Sequence, residues 1–306
     1  MKIKITFFLF CFCLSLYSQE QNFTSTDIEV TPLIDGTLLE PSGISKPNLV
    51  ILIAGSGPTD RNGNQNFLKN NSLKKLAEGL TNNGIATFRY DKRIVKQIKT
   101  NTANTPVMFN DFVSDAQAVL DYFKRKNTFN HIYILGHSQG SLVGMLAAEH
   151  ADGFISVAGS GETIDKVIIN QLQANAPIYT ADAQKVFDIL KTGETTSDYP
   201  PELKSIFNKD TQPFIANWMQ YNPKEEIKQL NIPILIINGT ADLQVSEEDA
   251  KILHEAAPTS TLKLINKMNH VFVIIEGDKL ENSKSYNESA RPIAKELVST
   301  ITDFVK

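Results

Sequence analysis

The sequence predicts an α/β protein in which a mostly parallel central sheet is flanked by helices on both faces. Its continuous apolar runs, NLVILIA, HIYIL and IPILII, are typical of strands that are buried on both faces. Segments with apolar residues at helical spacing lie between these runs, and strands that alternate with helices indicate a parallel sheet. The 306-residue length and the 42% hydrophobic content are sufficient for one large core.

The first 18 residues have the pattern of a secretory signal peptide. Lys2 and Lys4 form a basic start, residues 5–17 are almost wholly apolar, and Ser18 is a plausible cleavage point. The apolar run is shorter than the roughly 20 residues that a membrane-spanning helix needs, and an uncleaved anchor is the alternative. We therefore expect a secreted or periplasmic protein with no stable membrane insertion after cleavage, and a linker over residues 19–26.

Cysteine content and charge exclude several classes of function. Cys11 and Cys13 are the only cysteines, and both lie within residues 1–18. The remaining residues then offer no disulfide, thiolate metal site or cysteine nucleophile. Without Lys2 and Lys4 the chain has 28 basic and 34 acidic residues, a net charge of −6, and no basic stripe. Nucleic-acid binding is therefore not expected.

The first part of the predicted core covers residues 27–160. A hairpin is expected around Asp35-Gly36, because Asp-Gly between apolar runs is a strong turn signal. Gly, Asn, Asp and Pro are concentrated over residues 55–66, which predicts a loop. Strands are predicted at 27–34, 37–39, 48–54, 85–88, 131–135 and 154–158, and helices at 72–82, 109–125 and 139–150.

Residues 161–230 interrupt the alternation, and residues 231–306 resume it as the second part of the core. The interruption has no strong strand pattern and contains Trp218, the only tryptophan, among several other aromatic residues. We interpret it as a helical cap inserted over the sheet; a helical elaboration away from the site is the alternative. Helices are predicted here at 164–172, 181–190 and 214–230, followed by strands at 232–237 and 262–265 and a closing helix at 289–305.

The pentapeptide Gly136-His137-Ser138-Gln139-Gly140 fits the pattern G-x-S-x-G of a nucleophile elbow. A strand must reverse into a helix within a few residues, and glycines on both sides avoid clashes at this turn. HIYIL before the pentapeptide and SLVGMLAAEH after it supply the required strand and helix. Ser138 is therefore the predicted nucleophile; a glycine-flanked helix N-cap without chemistry is the alternative.

A serine nucleophile needs a base, and the base needs an orienting acid. Asp242 follows the strand IPILII and His270 follows the strand LKLI, which gives the chain order Ser, Asp, His expected of this architecture. Both residues then lie at the same sheet edge as Ser138. Asp242 could instead be a turn or N-cap residue, and Asp249 is among its rivals. His137 precedes the acid in sequence, and we expect it to pack at the elbow.

Two backbone N–H groups are expected to form an oxyanion hole. One belongs to Gln139, at the start of the helix after the nucleophile. The other should come from the glycine-rich loop after NLVILIA, where Ser56 is the predicted donor and Gly57 the alternate. Turn chemistry alone is the alternative for this loop.

Over residues 27–306 the chain resembles the α/β-hydrolase superfamily, and more closely the bacterial esterases and peptidases of the serine aminopeptidase-like (S33) type. The motifs that carry the resemblance are AGSGPTDRNG at 54–63, FRYDKR at 88–93, GHSQG at 136–140, NGTADLQV at 238–245 and MNHVF at 268–272. The resemblance implies the α/β-hydrolase fold. Relatives often have a Gly-rich turn after Tyr-Asp-Lys-Arg, where this chain has Ile94-Val95-Lys96. Arg89, Asp91 and Arg93 are candidates for an ion-pair cluster that braces the oxyanion loop, with a solvated loop as the alternative.

These residues predict a serine hydrolase that cleaves small carboxylic esters through an acyl-enzyme, with no metal or organic cofactor. A serine peptidase or aminopeptidase is the alternative, and it would need an acidic cluster near the cap to bind a substrate amine. Glu162, Asp165, Asp182 and Glu194 are the candidates for that cluster. A non-catalytic binding protein on the same fold is the second alternative, although no member of the triad is missing.

Overall fold

The computed structural model describes residues 22–102 and 106–306. The predicted signal peptide, residues 1–18, and both cysteines lie outside these residues. An eight-stranded sheet organises the described part of the chain, with the order β1-β2-β4-β3-β5-β6-β7-β8. The strands are β1 (Phe23–Thr31), β2 (Ile34–Pro41), β3 (Leu49–Ile53), β4 (Ala86–Tyr90), β5 (Ile132–His137), β6 (Gly153–Val157), β7 (Ile234–Gly239) and β8 (Thr261–Ile265).

The direction of the strands confirms the predicted fold class. Strand β1 pairs antiparallel with β2, and β2 pairs antiparallel with β4. Every other neighbouring pair from β4 to β8 is parallel. The carboxyl ends of these parallel strands therefore meet at one edge of the sheet, where ligands bind in open α/β sheets.

Helices cover both faces of the sheet and fill the interval between β6 and β7. None of the helices within the described residues is long and apolar enough to cross a lipid bilayer. The helices are α1 (Ser72–Asn82), α2 (Arg93–Lys99), α3 (Phe109–Lys126), α4 (Gln139–Ala147), α5 (Ile164–Asn175), α6 (Thr180–Lys191), α7 (Lys204–Phe207), α8 (Gln212–Trp218), α9 (Pro223–Glu226), α10 (Glu247–Ala256), α11 (Lys279–Ser285) and α12 (Lys295–Val305).

The apolar runs of the central strands supply both faces of the core. In β3, Ile51 packs with the cluster that includes α3, α4 and α10, whereas Val50 packs with the cluster that includes α1 and α12. Successive side chains of a strand point to opposite faces, so a strand covered on both sides must be apolar throughout. This requirement explains why NLVILIA, HIYIL and IPILII show no alternation.

The segment between β6 and β7 is helical, as the sequence predicts, and has an apolar cluster of its own around Phe187 and Phe207. The predicted helix at 214–230 is instead divided between α8 and α9, and Pro223 begins the second of these. Trp218 stacks on Phe109 of α3, with ring centroids 5.4 Å apart and an interplanar angle of 5°. The division of the chain into a core and a cap stays a prediction.

The N-terminal hairpin exists, but its turn differs from the prediction. Pro32 and Leu33 form the turn, and Asp35 and Gly36 lie inside β2. Gly36 is required there because a Cβ atom would collide with the ring of Phe88 and stand 2.8 Å from the Arg89 carbonyl oxygen. Strand β1 also begins at Phe23, so residues 23–26 of the predicted linker belong to the sheet.

Gly36→Ala should lower the free energy of unfolding by about 3 kcal/mol, near the upper end of the cost of overpacking a core. Gly43→Ala is the matched control, because its φ of 79° is strained for alanine but no atom lies within 4 Å of the added Cβ. That control should lose only about 1 kcal/mol. Urea unfolding measures both values, and equal losses would contradict the close-packing explanation.

Candidate active site

Ser138 stands in a strained turn between β5 and α4, at the carboxyl edge of the sheet. Its φ of 54° and ψ of −122° lie outside the regions that ordinary residues adopt. A Cβ at Gly136 would collide with the carbonyl group of Gly140, and one at Gly140 would stand 2.5 Å from the Ile53 oxygen. Only glycines therefore fit on either side of Ser138, and the turn has the geometry of a nucleophile elbow.

Asp242 and His270 are brought together by the loops that follow β7 and β8. The Nδ1 atom of His270 lies 2.7 Å from Oδ2 of Asp242, and both side chains are almost fully buried. The other carboxylate oxygen accepts the N–H groups of Gln244 and Val245 at 2.7 and 3.0 Å. Because the carboxylate is held from both sides, it can fix the orientation of the imidazole and the hydrogen on Nδ1.

Ser138 and His270 line the same cavity, which has a volume of about 250 Å³. Within the described residues, no hydrogen bond joins the serine hydroxyl to the histidine ring. Catalytic hydrogen bonds are often loose in unliganded structures and tighten in the substrate complex. The assignment of Ser138, Asp242 and His270 as a triad stays a prediction. The contact between Asp242 and His270 is the part of this arrangement that is already formed.

A buried amide network holds the loop that carries His270. Oδ1 of Asn269 accepts the N–H groups of Val271 and Val273, at 3.2 and 3.0 Å. Its Nδ2 donates to Asn282 at 2.9 Å, and Asn282 in turn donates to the carbonyl of Ala241, beside Asp242. The network therefore ties the histidine loop to the aspartate loop. Asn269 lies in the motif MNHVF, but no role for either asparagine could be predicted from the sequence, because their hydrogen bonds join residues that are distant along the chain.

His137 packs at the elbow, as the sequence analysis expects. Its Nε2 lies 2.9 Å from the carbonyl oxygen of His270, which can only accept, so Nε2 carries the hydrogen. Burial, with a smaller contribution from neighbouring His270, lowers the pKa of His137 to about 3. His137 is therefore neutral at ordinary pH, and it supports the backbone of His270.

The two residues predicted to supply the oxyanion donors line the same cavity as Ser138. Ser56 and Gln139 line a pocket of about 310 Å³ together with Ser138. In the described part of the chain, neither backbone N–H group donates to a protein acceptor. A Cβ at Gly55 would stand 3.1 Å from that of Ser138, so the loop passes directly beside the nucleophile. Gly57, the alternate donor, lines a different cavity.

Charged residues that follow β4 brace the oxyanion loop, but not as the predicted cluster. Asp91 accepts the backbone N–H of Arg61 at 2.8 Å and pairs with its guanidinium at 3.1 Å. Burial alone would raise the pKa of Asp91, but hydrogen bonds from Arg61 and Lys99 hold it below its ordinary value. Arg93 pairs with Asp115 of α3 rather than with Asp91, at 2.7 Å. The loop is thus fixed by Asp91 through Arg61.

Lys92 is a buried residue whose role the sequence analysis did not identify. Its Nζ lies 3.0 Å from the carbonyl oxygen of Gly55 and 2.7 Å from Oε1 of Gln139. It also lies 4.1 Å from the centre of the Phe112 ring. Burial lowers the pKa of Lys92 to about 7. Lysines are rarely buried without a paired charge, so composition and spacing give no signal for such a residue.

The two cavities beside Ser138 differ in character. The pocket that contains Ser56 and Gln139 is mainly apolar, and it is lined by Leu142, Ile164, Val167, Ile168, Trp218, Pro223 and Val245. The pocket that contains His270 also contains Ser56 and has a more mixed surface, to which polar groups are contributed by Thr59, Gln65, Asn70, Ser72, Gln244 and Tyr286. The first pocket therefore suits an apolar group, and the second can also accept a polar one.

The candidate acidic cluster for an amine is not assembled at this site. Glu162 lines the apolar pocket and accepts a hydrogen bond from Asn170 at 2.9 Å. Asp165 pairs with Lys191 at 2.9 Å, and Asp182 pairs with Lys185 at 3.2 Å. Glu194 is exposed. Across residues 22–102 and 106–306, no group of three or more His, Cys, Asp or Glu side chains is arranged to hold a metal ion.

Comparison with known proteins gives one family model and one curated relative. A family model described as serine aminopeptidase, S33, matches residues 70–181. The esterase EstD of Thermotoga maritima is 28% identical over 268 residues, which cover 85% of this chain. The match spans 63% of the length of that relative, which is less than two thirds.

Solved structures of similar fold include two esterases. Est1E from Butyrivibrio proteoclasticus has a TM-score of 0.55 at 19% identity, over 86% of this chain and 96% of its own. The Pyrococcus furiosus esterase Pf2001 has a TM-score of 0.55 at 14% identity, over 92% of this chain and 90% of its own. At these identities the likeness concerns the fold alone.

Asp242→Asn should slow covalent modification of Ser138 by a fluorophosphonate by about 100-fold or more. An asparagine amide can donate to Nδ1, which leaves the hydrogen on Nε2 and prevents His270 from accepting the serine proton. Asp249→Asn is the matched control, because it makes the same change at the rival acid, which caps α10 and bonds Ser160. Labelling of Asp242→Asn at the unmodified rate would contradict the assignment of the acid.

His137 should make the protein less stable in mild acid. Its native pKa of about 3 lies below the ordinary value of 6.5. Below pH 6.5, His137 therefore binds a proton in the unfolded chain but not in the native state. The free energy of unfolding therefore decreases as the pH decreases, by up to about 1.4 kcal/mol per pH unit. Between pH 7.5 and 5, wild type should lose about 2 kcal/mol more than His137→Gln, which lacks the titrating group. Equal losses in urea unfolding would contradict the buried neutral histidine.

Proposed function

We propose that this chain, which belongs to the α/β-hydrolase superfamily, is a serine hydrolase that cleaves small carboxylic esters. The observation that carries the proposal is the 2.7 Å contact between His270 Nδ1 and Asp242 Oδ2, beside a serine in the strained elbow. The esterase name of the Thermotoga maritima relative supports the same class of reaction.

In the proposed reaction, the Ser138 hydroxyl oxygen attacks the ester carbonyl carbon while Nε2 of His270 takes the hydroxyl proton. Asp242 holds the hydrogen on Nδ1 and stabilises the imidazolium that forms. The negative charge that develops on the carbonyl oxygen is bound by the N–H groups of Ser56 and Gln139. His270 then returns the proton to the alcohol oxygen, and the carbon–oxygen bond breaks to leave an acyl-enzyme.

Water completes the cycle. His270 takes a proton from a water molecule, the hydroxide attacks the acyl carbon, and the same two N–H groups bind the second oxyanion. Ser138 recovers its proton from the imidazolium, and the carboxylic acid leaves. These steps use only side chains and backbone N–H groups of the chain, together with water.

The two cavities suggest how an ester is oriented. The alcohol must lie beside His270, which protonates it, and the cavity on that side offers polar groups from Thr59, Gln65 and Gln244. The acyl group would then occupy the apolar pocket of about 310 Å³, which is suited to a short chain. The helices α5, α8 and α9 contribute Ile164, Val167, Ile168, Trp218 and Pro223 to that pocket, which supports the proposal that residues 161–230 act as a cap.

An aminopeptidase is the second candidate, because the matching family model carries that description. Such an activity needs carboxylates placed to bind a substrate amine. Of the four acidic candidates, only Glu162 lines the pocket next to Ser138, and it is already bonded to Asn170. This arrangement favours ester hydrolysis.

The predicted leader at residues 1–18 further leads us to propose that the reaction occurs outside the cytoplasm.

The proposal is tested with p-nitrophenyl esters of increasing acyl length beside aminoacyl p-nitroanilides. We expect turnover of short and medium acyl esters, and little or none of the anilides. Ser138→Ala should lower kcat by at least about 10⁴-fold without unfolding the protein. Ser299→Ala, on the outer helix α12, is the matched control and should retain full activity.

Three outcomes would contradict the proposal. Ester hydrolysis unchanged in Ser138→Ala would remove the serine from the mechanism. Preferred cleavage of the anilides would make the protein a peptidase. Failure of a fluorophosphonate to label Ser138, with no turnover of any substrate, would favour a non-catalytic binding protein on the same fold.

A further inference from the structure

Lys92 is buried without an opposite charge. It follows β4, only 5% of the residue is exposed, and no carboxylate in the described part of the chain pairs with its ammonium group. Burial of an unpaired cation is unfavourable unless strong hydrogen bonds compensate it. The two acceptors of Lys92, the Gly55 carbonyl and the Gln139 side chain, are both neutral. Such a residue is more costly to bury than an apolar one, which points to a role beyond packing.

Each acceptor is directly linked to one of the two predicted oxyanion donors, Ser56 and Gln139. The Gly55 carbonyl oxygen and the Ser56 N–H hydrogen are part of one planar trans peptide, so they point in opposite directions. An ammonium group that fixes the oxygen therefore also fixes the direction of the N–H group. The second acceptor is the side chain of Gln139, whose backbone N–H is the other donor.

The bond to Gly55 has an electronic consequence as well. A hydrogen-bond donor on the carbonyl oxygen of a peptide draws electron density away from its nitrogen. The N–H of that peptide becomes a stronger donor, which is the cooperative strengthening expected along a chain of hydrogen bonds. Lys92 therefore both orients the Ser56 donor and strengthens it.

Lys92 is not placed to touch a substrate at Ser138. It does not line either cavity that contains Ser138; it lines a third cavity, of about 720 Å³, together with Phe112 and Gln139. Any effect on the reaction must consequently pass through Gly55 and Gln139.

We propose that Lys92 is a positioning residue for the oxyanion hole: it holds the Gly55 carbonyl and the Gln139 side chain so that the N–H groups of Ser56 and Gln139 point at one oxygen atom. The inference rests on the proposed serine hydrolase function. It adds a residue to that mechanism that neither touches the substrate nor exchanges a proton with it.

The test compares Lys92→Met with the matched control Lys124→Met. Methionine keeps most of the apolar side chain but donates no hydrogen bond. Lys124 also donates to a backbone carbonyl, that of His150, but at the far end of α4. We expect Lys92→Met to lower kcat by about 10- to 100-fold with KM changed less than about two-fold, since misplaced oxyanion donors act on the transition state. Lys124→Met should retain the kcat of the unmodified protein.

A substrate pair separates positioning from general damage. In a thionoester, sulfur replaces the carbonyl oxygen and accepts weaker hydrogen bonds, so its hydrolysis depends less on the oxyanion donors. The ratio of oxoester to thionoester kcat should fall in Lys92→Met, whereas misfolding lowers both rates equally. Titration of active serines with a fluorophosphonate corrects both rates for the fraction of folded protein.

Gln139→Met is a second variant that keeps the buried lysine and its bond to Gly55. It should show a smaller fall in kcat and in the substrate ratio than Lys92→Met. An unchanged ratio in both variants, or a fall in kcat no larger than that of Lys124→Met, would overturn the inference. Loss of the proposed function is a separate result, because it would appear as full activity in Ser138→Ala.

Discussion

The candidate site depends on how closely helix α4 approaches strands β3 and β5. Backbone atoms of neighbouring elements occupy the space where side chains at Gly136 and Gly140 would stand. The chain must therefore turn sharply between β5 and α4, and Ser138 takes a backbone conformation that costs of the order of 1–3 kcal/mol. The sheet supports this strain, because the N–H of Ser138 donates to the carbonyl of Val157 in β6 at 3.0 Å.

The groups around Ser138 are buried, polar and largely satisfied by the protein itself. Asn269 and Asn282 bind backbone groups of the two loops that carry His270 and Asp242. Lys92 does the same for the loop that carries Ser56. A buried polar group without a partner costs about 1–3 kcal/mol, so each of these bonds also fixes the loop in one arrangement. The site is consequently pre-organised by side chains that do not take part in the chemistry.

The features that could be predicted from the sequence are those that depend on short patterns and on chain order. Apolar runs predicted the buried strands, and helical spacing placed α1 at Ser72–Asn82. The order of Ser138, Asp242 and His270 placed them at one edge, since the carboxyl ends of parallel strands share that edge.

The remaining features depend on contacts between residues that are distant in sequence. Gly36 is required because the ring of Phe88 leaves no room for a side chain there, and not because of a turn. A local sequence pattern cannot indicate such a contact. Helix α2, for which the sequence predicted no helix, is held by the pairs of Arg93 with Asp115 and of Lys96 with Asp35. Lys92 has neighbours that only the folded chain brings together.

The helices between β6 and β7 have an apolar cluster of their own, built around Phe187 and Phe207. Ile164, Val167 and Ile168, which these helices present to the apolar pocket, lie outside the two clusters that hold the sheet together, whereas Trp218 packs against one of them. Part of the pocket wall is thus encoded by residues on which the stability of the sheet does not depend. Through drift or selection, this segment can change what the pocket admits while the scaffold and the serine beneath it are inherited intact.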